Sequence, residues 1–139
     1  VTSILGFMGF YGYGPYAASK FAIVGFAECL RQEMLVHGVS VGLFYPPTTD
    51  TPGLERENED KPPETWAIEG MSKAFSSDVV GAAILDGMDR GRFVNMVGFD
   101  NWAIYYAYRF VPGVVRWVID TQLKRHLAKS GDKAATTPS

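Results

Sequence analysis

The chain is 139 residues long, 47% hydrophobic and 20% charged, which suits a folded globular segment and excludes a disordered one. Fifteen acidic residues against thirteen basic ones leave a net charge of −2, so no nucleic-acid partner is expected. The one cysteine, Cys29, excludes an internal disulfide, and with only His37 and His126 beside it no Cys/His cluster has metal-ligand spacing, so no metal is expected.

Val1-Thr2-Ser3-Ile4-Leu5 has no basic flank and no initiating methionine. It reads as the end of a buried strand already under way, and the expectation is a fragment or a chain whose beginning is missing. Gly6 to Pro15, dense in glycine and aromatic residues, reads as a flexible loop. Phe7, Phe10, Tyr11 and Tyr13 in it are core packing by default, with an acyl-chain groove near Ser3 as the alternative.

Tyr16 to His37 is expected as a helix, since Ala17, Phe21, Val24, Ala27, Leu30, Met34 and Leu35 recur at helical steps. Cys29 on it is expected to pack, and Gly38 to stop it. Val39 to Tyr45 is a short apolar strand closed by Pro46-Pro47, and helix followed by strand across a short turn is half of a parallel β-α-β unit. Thr48 to Met71, polar, acidic and interrupted by Pro52, Pro62 and Pro63, is expected as a loop acting as a substrate lid. Ser76 or Ser77 caps a further helix running to Gly91, and Phe93 to Val97 is a last strand.

From Trp102 to Ile119 the chain is strongly apolar and aromatic, as at a membrane–water boundary. Arg109, Arg116 and the central Pro112-Gly113 argue against one straight span, so a re-entrant or surface-lying hairpin is expected, with a helix pair closing the domain or a dimer as the alternative. Six bases and two acids from Arg109 onward suit an anionic leaflet. Residues 129–139 have the composition of a disordered tail. The organisation expected is therefore a catalytic segment over 1–98 with its lid at 48–71, a membrane-associating segment over 99–128, and the tail.

Chemistry concentrates in "GPYAASKFAIVG", residues 14 to 25. Tyr16 and Lys20, four apart, share a helix face. A phenol is a poor proton donor at neutral pH, and an ammonium group nearby favours its ionised form, which brings it towards working range. The spacing alone arises readily by chance, and a tyrosine at a helix start beside a solvated lysine would look the same. Ser3 lies thirteen residues before Tyr16, and "YPPTTDTPG" closes the next strand.

Together Ser3, Tyr16, Ala18-Ser19, Lys20 and Thr51 resemble the short-chain dehydrogenase/reductase family: a serine after a strand, Tyr-x-x-x-Lys on the following helix, then a strand ending in a Pro-Gly-x-x-x-Thr turn. The resemblance runs from Val1 to Val97. It implies an α/β fold, the C-terminal half of a Rossmann-like doubly wound parallel sheet, followed here by the apolar aromatic segment. It also implies that Tyr16 protonates a substrate carbonyl, that Ser3 holds that oxygen, and that Lys20 binds ribose hydroxyls. Thr51, with the backbone at Pro46 and Thr49, would hold the nicotinamide end of NADP(H). Two departures stand out. Pro47 replaces the family's usual glycine, which removes a backbone donor, and the glycine-rich dinucleotide loop with its NAD/NADP-selecting residue is absent from this sequence, so the chain by itself is expected to bind cofactor poorly.

"YPPTTDTPGLERENEDKPPET" also resembles the matching segment of the 3-ketodihydrosphingosine reductases, through Pro46, Pro47, Asp50, Thr51, Pro52, Gly53, Lys61, Pro62, Glu64 and Thr65. That likeness implies NADPH-dependent reduction of a long-chain sphingoid ketone, 3-ketodihydrosphingosine to dihydrosphingosine, in sphingolipid biosynthesis at the cytosolic face of the endoplasmic reticulum membrane, with a homodimer as a possible assembly. A membrane-associated reductase of a steroid, retinoid or acyl ketone, and a truncated non-catalytic binding chain, stand as alternatives.

Overall fold

The computed structural model describes residues 1–59, 63–65 and 74–135. After an extended start, a 3-10 turn occupies Ile4–Gly6. Helix α1 spans Gly14–Leu35, strand β1 Leu43–Tyr45, strand β2 Thr49–Asp50 and helix α2 Pro52–Glu59. Strand β3 (Phe75–Ser76), helix α3 (Ser77–Asp89), strand β4 (Val94–Met96), helix α4 (Phe99–Phe110) and helix α5 (Pro112–Ala135) complete the order.

Both strand pairs are parallel. β1 pairs β4 in the register Leu43 with Val94 and Tyr45 with Met96, and β2 pairs β3 through Thr49 with Phe75. All three residues of β1 are buried, as expected of a parallel strand covered on both faces. On the other side of β1 the amide of Thr2 donates to the Phe44 carbonyl at 2.9 Å. That contact is strand-like, but the chain turns away at Ile4, so the expected strand through Leu5 gives way to the 3-10 turn.

α1 begins two residues earlier than its apolar pattern suggests, because Gly14 and Pro15 fit its first turn, where a missing proline N–H costs nothing. It stops where expected: Gly38 takes φ 68°, and the Val39 amide returns to the Met34 carbonyl at 3.1 Å. Ala17 and Ala27 are buried and Ile23 and Val24 pack on the core, whereas Phe21 and Leu35 are exposed and fall off the stripe. Cys29, expected to pack, is exposed.

The core joins Ala27, Leu43, Tyr45 and Met96, with Phe7, Trp102 and Tyr105 laid against it. α4 docks here through its aromatic rings. Tyr105 meets Phe7 edge-on at 5.1 Å and Tyr45 at 5.9 Å, and Phe7 meets Tyr45 at 5.4 Å. Each such pair contributes about 0.5–1.5 kcal/mol beyond the area it buries. Trp102, Tyr105 and Tyr108 therefore belong to the domain, while Phe99, Phe110, Val114 and Trp117 stay exposed. The chain breaks between α4 and α5 at Val111-Pro112, and the Arg116 guanidinium lies 5.5 Å over the Tyr108 ring.

The segment expected as a lid loop holds a helix. The Thr51 hydroxyl oxygen accepts the Leu54 amide at 3.3 Å and Pro52 takes the first helical position, so the proline that reads as a breaker starts α2. The rest of that lid at 60–62 and 66–71, with Lys61 and Pro62, lies outside the described residues. Ser76 caps α3 as expected, accepting from the Val79 amide at 3.5 Å. α5 continues to Ala135, so helix occupies most of the stretch whose composition reads as tail, and 136–139 lie outside the described residues.

Candidate active site

Ser3 sits in extended backbone and caps the 3-10 turn, its Oγ accepting the Leu5 amide at 3.2 Å. Its own hydroxyl proton remains available for donation. Two contacts fix this turn against α1. The buried Thr2 hydroxyl donates to the Lys20 carbonyl at 3.0 Å, and Gly6 lies so close that a Cβ there would come within 2.5 Å of Thr2 Oγ1 and 3.2 Å of the Lys20 carbonyl oxygen. Glycine is needed for that approach.

Tyr16 lies in the first turn of α1, 44% exposed. The Lys20 Nζ lies 5.1 Å from its ring centroid, so the two side chains share one helix face as their spacing predicts. The third part of the site follows β1. Thr49 Oγ1 donates to the Pro47 carbonyl at 2.8 Å, and Thr51 is held as the cap of α2.

These pieces converge. Ser3, Tyr16, Pro46, Thr49 and Thr51 line one cleft of about 420 Å³, a size typical of small-molecule sites. It opens beyond the carboxyl end of β1, where ligands of open parallel sheets bind. Lys20 does not line the cleft itself and reaches it through Tyr16. A second cavity of about 280 Å³ lies by the amino ends of β1 and β4, near Gly42 and Arg92, and contains none of the expected site residues.

Of the loop aromatics, Phe10 lines the cleft, as the acyl-groove alternative allows, whereas Phe7 is core. The Tyr13 ring lies 6.0 Å from that of Tyr16, and the Tyr11 carbonyl accepts the buried Thr65 hydroxyl at 3.2 Å. Met8, Leu54, Asn101 and Ile104 also line the cleft and were not expected there. Leu54 carries a signal, standing three residues after a capping threonine. Asn101 and Ile104 carry none, since only the docking of α4 brings them to residues some ninety positions earlier. Behind the site, burial pushes the Tyr45 phenol up to about 12 from 10.0, with Tyr105 and Glu28 adding to the shift and Arg109 opposing it. Among the described residues no three His, Cys, Asp or Glu converge to hold a metal ion.

Comparison with known proteins identifies the family. Residues 1–62 match the family model of the short chain dehydrogenases. The chain is 44% identical over 93 residues to a 3-ketodihydrosphingosine reductase of Dictyostelium discoideum, a match covering 67% of the chain and 28% of that protein. It is 38% identical over 104 residues to the 3-ketodihydrosphingosine reductase of Bos taurus and to the 3-dehydrosphinganine reductase of Danio rerio, in each case over 75% of the chain and 31% of the relative. The chain thus spans under a third of the length of the curated relatives it matches. With its parallel strands, crossing helices and this cleft, the chain belongs to the short-chain dehydrogenase family.

Proposed function

We propose that the protein carrying this chain reduces the 3-keto group of 3-ketodihydrosphingosine, a long-chain amino ketone, to the alcohol, with NADPH as the reductant, in sphingolipid biosynthesis. The observation that carries the reading is the convergence of Ser3 and Tyr16 on one cleft that also has an apolar wall of Met8, Phe10, Leu54 and Ile104. The names of the relatives point to the same substrate.

The residues present suit the nicotinamide end of the cofactor. Thr51 keeps a hydroxyl proton to donate while its oxygen holds the Leu54 amide, and Pro46 and Thr49 line the same wall. Lys20, one turn along from Tyr16, has ammonium donors for ribose hydroxyls. When bound, the cofactor supplies a hydride to the carbonyl carbon. Tyr16 gives its phenolic proton to the carbonyl oxygen, and Ser3 donates a hydrogen bond to that oxygen as negative charge develops on it. One hydride and one proton convert the ketone to a secondary alcohol, and solvent re-protonates Tyr16.

Incubating the intact protein with NADPH and 3-ketodihydrosphingosine tests this. The reading predicts dihydrosphingosine formed mole for mole with NADPH consumed. Turnover of a sterol ketone without turnover of the sphingoid ketone would overturn the substrate.

The same reading places α4 and α5 on an anionic membrane surface, in keeping with the cytosolic face of the endoplasmic reticulum. Exposed Phe110, Val114 and Trp117 stand beside Arg109 and Arg116, a combination that suits a lipid–water boundary. Among the described residues no helix is long and apolar enough to cross a membrane. Co-sedimentation with vesicles containing phosphatidylserine, weakened by Trp117→Glu, is the expected result. Equal sedimentation of both forms would contradict it.

A further inference from the structure

We propose that Asn101 reads the polar end of the substrate, its side-chain carbonyl accepting a hydrogen bond from an ammonium or hydroxyl group near the keto carbon. The inference rests on the ketone-reductase reading above and names a residue that decides which ketones the cleft prefers. Asn101 lies in the first turn of α4, half-buried, on the lining of the cleft. Its Nδ2 donates to the Val97 carbonyl at 2.6 Å, which fixes the plane of the amide. Its Oδ1 takes no hydrogen bond among the described residues and keeps its acceptor capacity.

The rest of the polar lining is differently committed. Ser3 Oγ accepts the Leu5 amide and Thr51 Oγ1 accepts the Leu54 amide, while the Thr49 hydroxyl donates to Pro47. The polar side chains left around the cleft are hydroxyls, which both donate and accept, and no carboxylate lines it among the described residues. A ligand bringing a pure donor therefore finds its dedicated acceptor at Asn101. One turn further along the same helix, Ile104 lines the cleft with apolar surface. α4 so presents an acceptor for a polar head followed by contact area for a hydrocarbon chain, the order in which a long-chain amino ketone carries those groups. A ketone lacking the donor would leave Asn101 Oδ1 desolvated and unpaired, which lowers its selection.

The test compares three ketones on the intact protein: 3-ketodihydrosphingosine, its 2-deamino analogue and its 1-deoxy analogue. The wild type is expected to lose about tenfold or more in kcat/KM with at least one analogue, and the analogue affected identifies the donor as amine or hydroxyl. Asn101→Leu is expected to cut kcat/KM for the full ketone and bring it to within about threefold of that analogue. Asn101→Asp, which keeps an acceptor but loses the bond to Val97, should retain the preference. A loss equal for all three ketones in Asn101→Leu would mean that the residue only braces α4, and the proposal fails. If both variants fail to fold, the wild type still decides, since equal kcat/KM for all three ketones overturns the proposal. If no ketone is reduced at all, the reductase reading falls instead, and the thermal shifts produced by the amino ketone and by its 2-deamino and 1-deoxy analogues, compared between the wild type and Asn101→Leu, still report on Asn101. A larger shift for the amino ketone than for at least one analogue, lost in Asn101→Leu, supports the proposal, and equal shifts in the wild type or an unchanged preference in Asn101→Leu overturn it.

Discussion

The ammonium nitrogen of Lys20 lies 5.1 Å from the centre of the Tyr16 ring, while the carbonyl of the same lysine accepts the Thr2 hydroxyl at 3.0 Å. One residue thus serves the site twice, by side chain towards the tyrosine and by backbone towards the strand-like segment that ends in Ser3. Lys20→Met removes the first role and leaves the second. The expected outcome is a fall in turnover of about 10²-fold, with thermal stability unchanged because the Thr2 bond survives. Steady-state kinetics alongside a melting curve check it.

Ser3→Ala removes both the cap of the 3-10 turn and the hydroxyl that faces the cleft. We expect kcat to fall about 10²-fold or more, as when one donor to a developing oxyanion is lost. Stability should fall by only about 0.5–1.5 kcal/mol, the net contribution of one hydrogen bond. Urea unfolding separates the two effects, and a collapse of stability with kcat preserved would reverse the assignment.

Gly6→Ala is expected to disturb the site without touching a reacting atom. Its added methyl group meets Thr2 Oγ1 and the Lys20 carbonyl oxygen, which is backbone and gives way poorly. Overpacking of this kind costs about 1–3 kcal/mol. A lowered melting temperature together with lowered turnover is the predicted result.

The shared helix face of Tyr16 and Lys20 was legible because helical spacing fixes it, and of the three expected residues Ser3 and Tyr16 line the cleft while Lys20 stands behind Tyr16. Ser76 as a cap and Gly38 as a helix stop were legible for the same local reason. α2 was hidden because Pro52 reads as a breaker, although a proline behind a capping Thr51 is a normal helix start. The fate of the aromatic segment was hidden more deeply. Trp102 and Trp117 look alike in the sequence, yet one packs against the core and the other is exposed, a difference decided by the docking of α4, whose Tyr105 meets Phe7 and Tyr45. Asn101 was invisible for that reason too.

Tyr45 makes stability depend on pH in the alkaline range. Its phenol is raised from 10.0 to about 12 in the folded chain, chiefly by burial, so above pH 10 the unfolded chain releases a proton that the folded chain keeps. The unfolded state then binds fewer protons, and stability, intact below that pH, falls as pH rises towards 12 by on the order of 1 kcal/mol per pH unit. Other groups also titrate there, so the informative quantity is the difference between wild type and Tyr45→Phe. Urea midpoints from about pH 9 to about pH 11 should show a shallower decline in the variant.

The central claim is that Tyr16 delivers the proton. Tyr16→Phe keeps the ring and removes the acid. In the intact protein assayed with NADPH and 3-ketodihydrosphingosine, the account predicts a loss of 10²–10⁴-fold in kcat with NADPH binding retained, as measured by the quenching of protein fluorescence. Turnover within about twofold of the wild type, at equal NADPH binding, would contradict it.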